Sequence, residues 1–278
     1  PKRLPVGRAK GRDRRGTMPL IHTDLARHVM TITLIDEERR NALSRQLLIE
    51  LLDAIDVVDN EPDVRVAVVT NSGHVFCAGA DLAERTSAPT TDGRTVEISE
   101  VFQRIQHSPK PFVGLINGHC VAGGVGLAAV MDISIALDTA IFGFTEVRIG
   151  VAPAMISVVC LPKMRLADAR SAFLRGNRFS AIDAARMGLI NDVAVAGELD
   201  DELDAILNDL LAGEPTALAA AKRLTVHVPT LSVDAAFEWT TQLSAELFAT
   251  DSAKEGMTAF LEKRSASWVR SVGAQEND

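Results

Sequence analysis

The chain has 278 residues, 47% hydrophobic and 24% charged, with net charge −8 and a pI near 5.3. That length and apolar content can bury a substantial core in one domain or two, and the acidic balance argues against nucleic acid or an anionic membrane as partner of the main body. Cys77, Cys120 and Cys160 sit in apolar surroundings at no metal-ligand spacing, and there is no signal peptide and no transmembrane-length apolar run, which implies a reduced, soluble, cytoplasmic protein.

Residues 1–17 hold seven Lys or Arg against Asp13 alone, a local +6. With so few apolar side chains this segment is expected to be a disordered basic extension rather than a nucleic-acid arm. Val29–Ile35 is β-branched and bounded by polar residues, a predicted strand. After a loop over residues 37–41, Ala42–Val58 shows helical spacing of Leu43, Leu47, Leu48, Leu51, Leu52 and Ile55. Val64–Thr70 is nearly all apolar, as in a strand buried on both faces. Asn71-Ser72-Gly73 predicts a turn, residues 84–95 a mobile loop, Val96–Gln106 a helix and Phe112–Ile116 a strand. Asn117-Gly118 turns the chain into the glycine cluster Ala122-Gly123-Gly124-Val125-Gly126, followed by the helix-forming run Leu127–Met131. Ile133–Ala136 and Ile141–Phe144 are predicted short strands. From about Leu166 helical periods dominate, at 167–175, 181–188, 199–212, 215–225, 232–249 and 251–265, so the expected class is α/β with a helical C-terminal third.

The glycine cluster is the first chemical candidate. Leu127-Ala128 stand where a P-loop needs Lys-Ser/Thr, and the G-x-G-x-x-G spacing of a dinucleotide fingerprint is absent. Two readings remain: a tight turn with close helix packing, or an oxyanion site built from backbone N–H groups at a helix start. Glu146 lies between apolar stretches beside Phe142 and Phe144, where burial would raise its pKa into an acid–base range. Most glutamates are surface or salt-bridged groups, so this feature alone does not decide. His119 has no nucleophile-elbow partner, and the other histidines share no ligand spacing, so no metal is expected.

Four motifs in order then point one way. They are Arg40-Asn41-Ala42-Leu43; Phe76-Cys77-Ala78-Gly79-Ala80-Asp81-Leu82; Asn117-Gly118-His119-Cys120-Val121-Ala122-Gly123-Gly124 followed by Asp132-Ile133; and Glu255-Gly256-Met257-Thr258-Ala259-Phe260-Leu261-Glu262-Lys263-Arg264. Over about residues 19–270 the chain resembles the enoyl-CoA hydratase/isomerase (crotonase) superfamily. The resemblance implies a crotonase-like spiral of ββα units over residues 18–205 and a helical trimerisation region over residues 206–278. It also implies an acyl-CoA thioester as substrate, a homotrimer or hexamer, no cofactor beyond the coenzyme A of the substrate, and neither nucleic acid nor membrane as partner. By the same resemblance the amides of Ala80 and Gly123 form the oxyanion hole and Glu146 is the general acid–base. Arg40, Ala42, Ala78, Ala80, Asp81, Leu82, Ala83 and Gly123 would bind the coenzyme A ester, with Phe260 and Lys263 approaching from a neighbouring subunit.

One position departs from the pattern. Hydratases of this family carry two glutamates, and Gly126 stands where the first is expected; Pro153-Ala154-Met155-Ile156-Ser157 also replaces the usual P-G-x-G-G. Either one carboxylate suffices, as in double-bond isomerases, or Gly126 makes room for a bulkier or polar acyl group while a substrate or solvent group helps hold the water. The stretch from Glu146 to Ser157 looks like the methylglutaconyl-CoA hydratase-like branch. The expected activity is reversible hydration of a 2-enoyl-CoA to the 3-hydroxyacyl-CoA. The alternatives are Δ3-Δ2-enoyl-CoA isomerisation, thioester hydrolysis, dehalogenation and non-catalytic binding of acyl-CoA.

Overall fold

The computed structural model describes residues 18–86 and 96–273; the basic segment 1–17 and most of the expected loop 84–95 lie outside them. The chain opens with an antiparallel hairpin, β1 (Ile21–Ala26) and β2 (Val29–Leu34). The sequence predicts only the second strand, because His22, Thr23 and Asp24 give the first a polar edge.

Three strand pairs then follow one plan. β3 (Val66–Asn71) leads to β4 (Val75–Cys77), β5 (Phe112–Ile116) to β6 (His119–Val121), and β7 (Ile133–Leu137) to β8 (Ile141–Gly143). The first member of each pair joins a six-stranded sheet, in the order β1-β2-β3-β5-β7-β10, which β10 (Asp192–Ala194) completes. The second member joins a four-stranded sheet, in the order β4-β6-β8-β9, where β9 (Arg178–Ser180) closes the edge antiparallel to β8. All other pairings after the hairpin are parallel, so each pair is one turn of a spiral and helices make the crossovers.

Both faces of the large sheet are covered, as the apolar run in β3 implies. Ala67 and Val69 face Leu47, Leu51 and Ile55 of α1 (Arg45–Asn60), whereas Val66 and Val68 join Val113, Leu115 and Ile135 on the other face. There Leu199, Leu203, Leu207 and Leu211 of α8 (Leu199–Ala212) cover them. The expected division at residues 205/206 falls inside this helix, which Gly213 caps.

Several boundaries move for local reasons. α1 starts at Arg45 rather than Ala42, because Asn41 is left-handed (φ 52°) and the Ser44 hydroxyl accepts the Leu47 amide as N-cap. α2 (Leu82–Thr86) occupies the start of the segment expected to be a loop. α3 (Ile98–His107) lies where a helix is predicted, and α4 (Gly123–Val130) starts within the glycine cluster itself. α5 (Ala154–Cys160) was not predicted. α6 (Leu166–Arg175), α7 (Ala181–Arg186), α9 (Pro215–His227), α10 (Val233–Phe248) and α11 (Asp251–Glu262) follow the predicted periods to within a few residues.

α9 is fastened to the spiral by a buried cation. Lys222 Nζ donates to the carbonyls of Ile105 and Lys110 and lies 2.8 Å from Asp132 Oδ2, over the Phe112 ring. Asp132 Oδ2 also accepts the Phe112 amide. Burial works against both charges, lowering the Lys222 ammonium and raising the Asp132 carboxyl from their ordinary values, while their contact favours both.

Candidate active site

Three successive parallel strands of the small sheet end side by side: Cys77 of β4 pairs with Cys120 of β6, and Val121 of β6 with Gly143 of β8. Ala80, Gly123 and Glu146 each follow the carboxyl end of one of these strands, so the three sequence candidates arise from three turns of the spiral and converge at one edge. That edge is where strand-end loops of a parallel sheet characteristically build ligand sites.

The first loop is held from below. The Leu43 amide donates to the Gly79 carbonyl at 2.8 Å, the Ala78 amide donates to Arg40 O at 3.0 Å, and Leu43 pairs with Ala80 in a parallel bridge. Residues 40–43 are thus a backbone rail for the loop. Gly79 has φ 86°, and a Cβ there would stand 2.9 Å from Ala122 Cβ and 3.0 Å from the Gly123 amide. Only glycine lets the two loops meet this closely. Ala80 is exposed and Gly123 half-buried, and Gly123 opens α4, whose first amides have no acceptor within the helix. An N–H group at a helix start, here that of Gly123 beside the Ala80 loop, favours an oxygen that gains negative charge.

Ala122 is strained to make this junction, at φ 49° and ψ −124° with no glycine to relieve it. Its amide is held by Gly143 O at 2.9 Å, which ties the second loop to β8. Ala122→Gly is expected to raise stability by about 1 kcal/mol, the low end for a residue in a sparsely populated backbone region. A thermal melt reads this, and an unchanged or lower melting temperature would mean that the Ala122 methyl packs well enough to offset its strain.

Glu146 heads a 3-10 turn, Glu146–Ile149, which Gly150 ends at φ 81° by donating its amide to Glu146 O. Phe144, two residues before it, is buried against Phe173 at 4.4 Å between ring centres. One carboxylate oxygen, Glu146 Oε2, is buried without a hydrogen-bond partner. Burial holds the Glu146 carboxyl above the ordinary carboxylate range, the direction expected from its apolar neighbours. The group also lies close enough to Cys160 to disfavour the thiolate there. All three cysteines are buried and free, and burial pushes the Cys77 thiol up to about 12, so these are held as neutral thiols. Among the described residues no group of three or more His, Cys, Asp or Glu is arranged to hold a metal ion.

Gly126 sits one helical turn beyond Gly123, and here the idea of extra room is corrected. A Cβ at Gly126 would overlap Ile156 Cγ2 and would stand 2.9 Å from Ile156 Cβ and 2.8 Å from Phe102 Cζ. The space left by the missing side chain is filled by α5 and α3, not held open. The altered residues Met155-Ile156 were the sequence signal for this, but their position against Gly126 depends on tertiary packing.

The expected coenzyme A residues divide into two groups. Arg40, Ala42, Ala78, Ala80, Leu82 and Ala83 lie along the first loop, with Leu82 more than half exposed. Asp81 Oδ1 accepts the amides of Ala83 and Glu84 and so caps α2, and Asp81 Oδ2 lies 3.7 Å from Arg39. Phe260 and Lys263 are elsewhere in the chain, exposed at the end of α11, which packs against α10. The fourth motif has a structural account. Arg264 grips both oxygens of Glu255 at 2.7 and 2.9 Å, which holds the Glu255 carboxyl at about 2 and fixes the left-handed turn at Lys263. Gly256 admits Trp268, whose ring approaches its would-be Cβ at 3.0 Å.

Comparison with known proteins agrees with this fold. The family model described as enoyl-CoA hydratase/isomerase matches residues 24–271. The chain is 35% identical to a Thermus thermophilus protein of this family over 242 residues, which is 85% of this chain and 96% of that one. It is 30% identical to the short-chain-enoyl-CoA hydratase of Clostridium acetobutylicum, covering 85% of this chain and 92% of the other. The solved enoyl-CoA hydratase of Mycobacterium smegmatis superimposes with a TM-score of 0.84 at 30% identity, over 90% of this chain and 99% of that one. The spiral, the converging strand ends and these likenesses place the chain in the enoyl-CoA hydratase/isomerase family.

Proposed function

We propose that the protein adds water reversibly to a 2-enoyl-CoA thioester, with Glu146 as the acid–base group at the reacting carbons. The observation that carries this is the buried, unpartnered Glu146 Oε2 at the edge where the Ala80 and Gly123 amides also converge. The two amides bind the thioester oxygen and stabilise it as it becomes an enolate. Such a donor is typically worth about 3–4 kcal/mol in the transition state. The water oxygen bonds to C3 while the C2=C3 electrons move onto the thioester, and the water proton passes to the Glu146 carboxylate. The same carboxyl then returns a proton to C2 as the enolate collapses. Written so, the reaction needs no metal or redox group, and coenzyme A arrives with the substrate.

A second reading is favoured by the filled space at Gly126. Isomerisation of a 3-enoyl-CoA needs only one carboxylate, which takes a proton from C2 and returns it to C4. Incubating the protein with paired 2-enoyl and 3-enoyl esters separates the two. Formation of 3-hydroxyacyl-CoA from the 2-enoyl ester supports hydration, and double-bond migration alone supports isomerisation. The branched acyl groups of the methylglutaconyl type belong in the same panel.

The proposed assembly is a homotrimer, paired or unpaired. Its support is the apolar surface of the last two helices, where Val233, Phe237 and Phe248 are 71%, 70% and 67% exposed and Phe260 and Leu261 about four-fifths exposed. In such an assembly Lys263 reaches a neighbouring coenzyme A phosphate. Lys263→Ala is then expected to raise KM about fivefold with little change in kcat, the size of an exposed charge contact near 1 kcal/mol. An unchanged KM would remove Lys263 from the site, and light scattering reads the mass.

A further inference from the structure

We infer that Ile156, backed by Phe102, fixes the reaction specificity of this site by filling the space that a side chain at position 126 would need. This rests on the reading of Glu146 as the acid–base group and names what keeps that group without a second carboxylate.

Gly126 is fully enclosed in α4, and its missing Cβ points at two side chains from different helices, each 3% exposed. The obstacles are unequal. The Phe102 contact is the far end of a ring, which can tilt. The Ile156 contact involves a β-branched side chain whose Cβ is itself 2.9 Å away, so no rotamer of Ile156 clears the space. α5 as a whole would have to retreat. Ile156 and Cys160 lie one turn apart on α5, and Glu146 lies near enough to Cys160 to bias its ionisation. α5 begins four residues after the Glu146 turn and packs against α4, the helix that carries both Gly123 and Gly126, so the filled space adjoins the segment that holds the carboxylate.

The chemical consequence is selectivity. A second carboxylate would position and polarise a water on the substrate, and Ile156 and Phe102 place only carbon where its stem would run. With them present, proton traffic at C2 is served by Glu146, and the water of any hydration step is held by Glu146 or by the substrate itself. Replacing Gly126 alone cannot change this; the exchange has to be made together with Ile156.

Two experiments test the claim. The first is a stability cycle on Gly126→Ala, Ile156→Ala and the double variant. Gly126→Ala is expected to melt several degrees below wild type, and the double variant above Gly126→Ala, because the smaller side chain at 156 accepts the new methyl. Gly126→Ala melting with wild type, or fully additive losses, would overturn the inference. The second compares Gly126→Glu/Ile156→Ala with Gly126→Gln/Ile156→Ala on paired 2-enoyl and 3-enoyl esters. The Glu variant alone is expected to raise hydration relative to isomerisation by at least about tenfold, the lower range of a positioned acid or base being larger still. Its pH profile is expected to gain a second ionisation. An unchanged ratio would overturn the specificity claim. Wild-type protein that converts neither ester would overturn the reading of Glu146, and the specificity claim with it, whereas the melts test the packing alone.

Discussion

Glu146→Gln is expected to lower turnover of an enoyl-CoA by about 10²–10⁴-fold, the usual contribution of a positioned acid–base group. The amide has nearly the shape of the carboxylate but cannot take or give the proton. The amides of Ala80 and Gly123, which on the proposed reading bind the thioester oxygen, are untouched, so affinity for a coenzyme A ester is expected to stay within about threefold, well under the tenfold that 1.4 kcal/mol represents. The same substitution is expected to stabilise the protein near neutral pH. Burial raises the Glu146 carboxyl above its ordinary 4.5, so the folded state binds the proton more tightly than the unfolded one. Ionised Glu146 therefore costs stability, and the cost fades as pH falls through the folded value toward 4.5, where both states become protonated. Melts of wild type and Glu146→Gln across pH test this: the variant melts higher at pH 7, and the gap closes in acid. A gap of the opposite sign would mean that the carboxylate has a stabilising partner. Catalytic loss with stability gain is the pattern of a group kept for chemistry rather than for folding. Catalytic loss with unchanged stability would leave Glu146 its role but not its burial cost.

The largest expected effect on stability comes from Lys222→Met. Lys222 is 8% exposed and joins α9 to the carbonyls of Ile105 and Lys110 and to Asp132. Removing one partner of a buried pair leaves the other charge uncompensated, at a cost of about 3–5 kcal/mol. For a domain of this size that corresponds to a fall in melting temperature of roughly 10 °C. Adding Asp132→Asn is expected to recover part of the loss, but not all of it, because the carbonyls of Ile105 and Lys110 still lack the donor that Lys222 supplied. Acid is expected to narrow the deficit of the single variant, since Asp132, already raised by burial and without its Lys222 contact, becomes neutral more readily. A single variant that melts within two degrees of wild type would show that water replaces the ammonium.

The legible parts of this chain are those with long periods or backbone signatures. The leucine spacing marked α1, and the apolar run in β3 announced a strand buried on both faces. The glycines and Glu146 pointed to the strand-end loops that now meet. β4, β6, β9 and β10 escaped because three residues are too few to show a period of two, and β8, equally short, was legible only as part of the apolar run Ile141–Phe144. Residues 42–44 looked helical through Leu43, yet Leu43 spends its backbone on Gly79 and Ala80. Gly126 was visible as a departure, but its meaning was not. Whether a missing side chain leaves a gap or a contact depends on Ile156, thirty residues away in sequence and supplied by a helix with no predicted pattern.

The convergence of three strand ends also divides the site by what can vary. On the proposed reading, polarisation of the thioester belongs to main-chain amides, which every residue type but proline supplies. Proton transfer belongs to one side chain on a separate turn of the spiral. Sequence drift at Ala80 or Gly123 is limited by backbone shape, whereas drift at residue 146 changes the reaction without disturbing carbonyl binding. On that reading the fold keeps a general capacity to activate a thioester and leaves the particular transformation to a replaceable group.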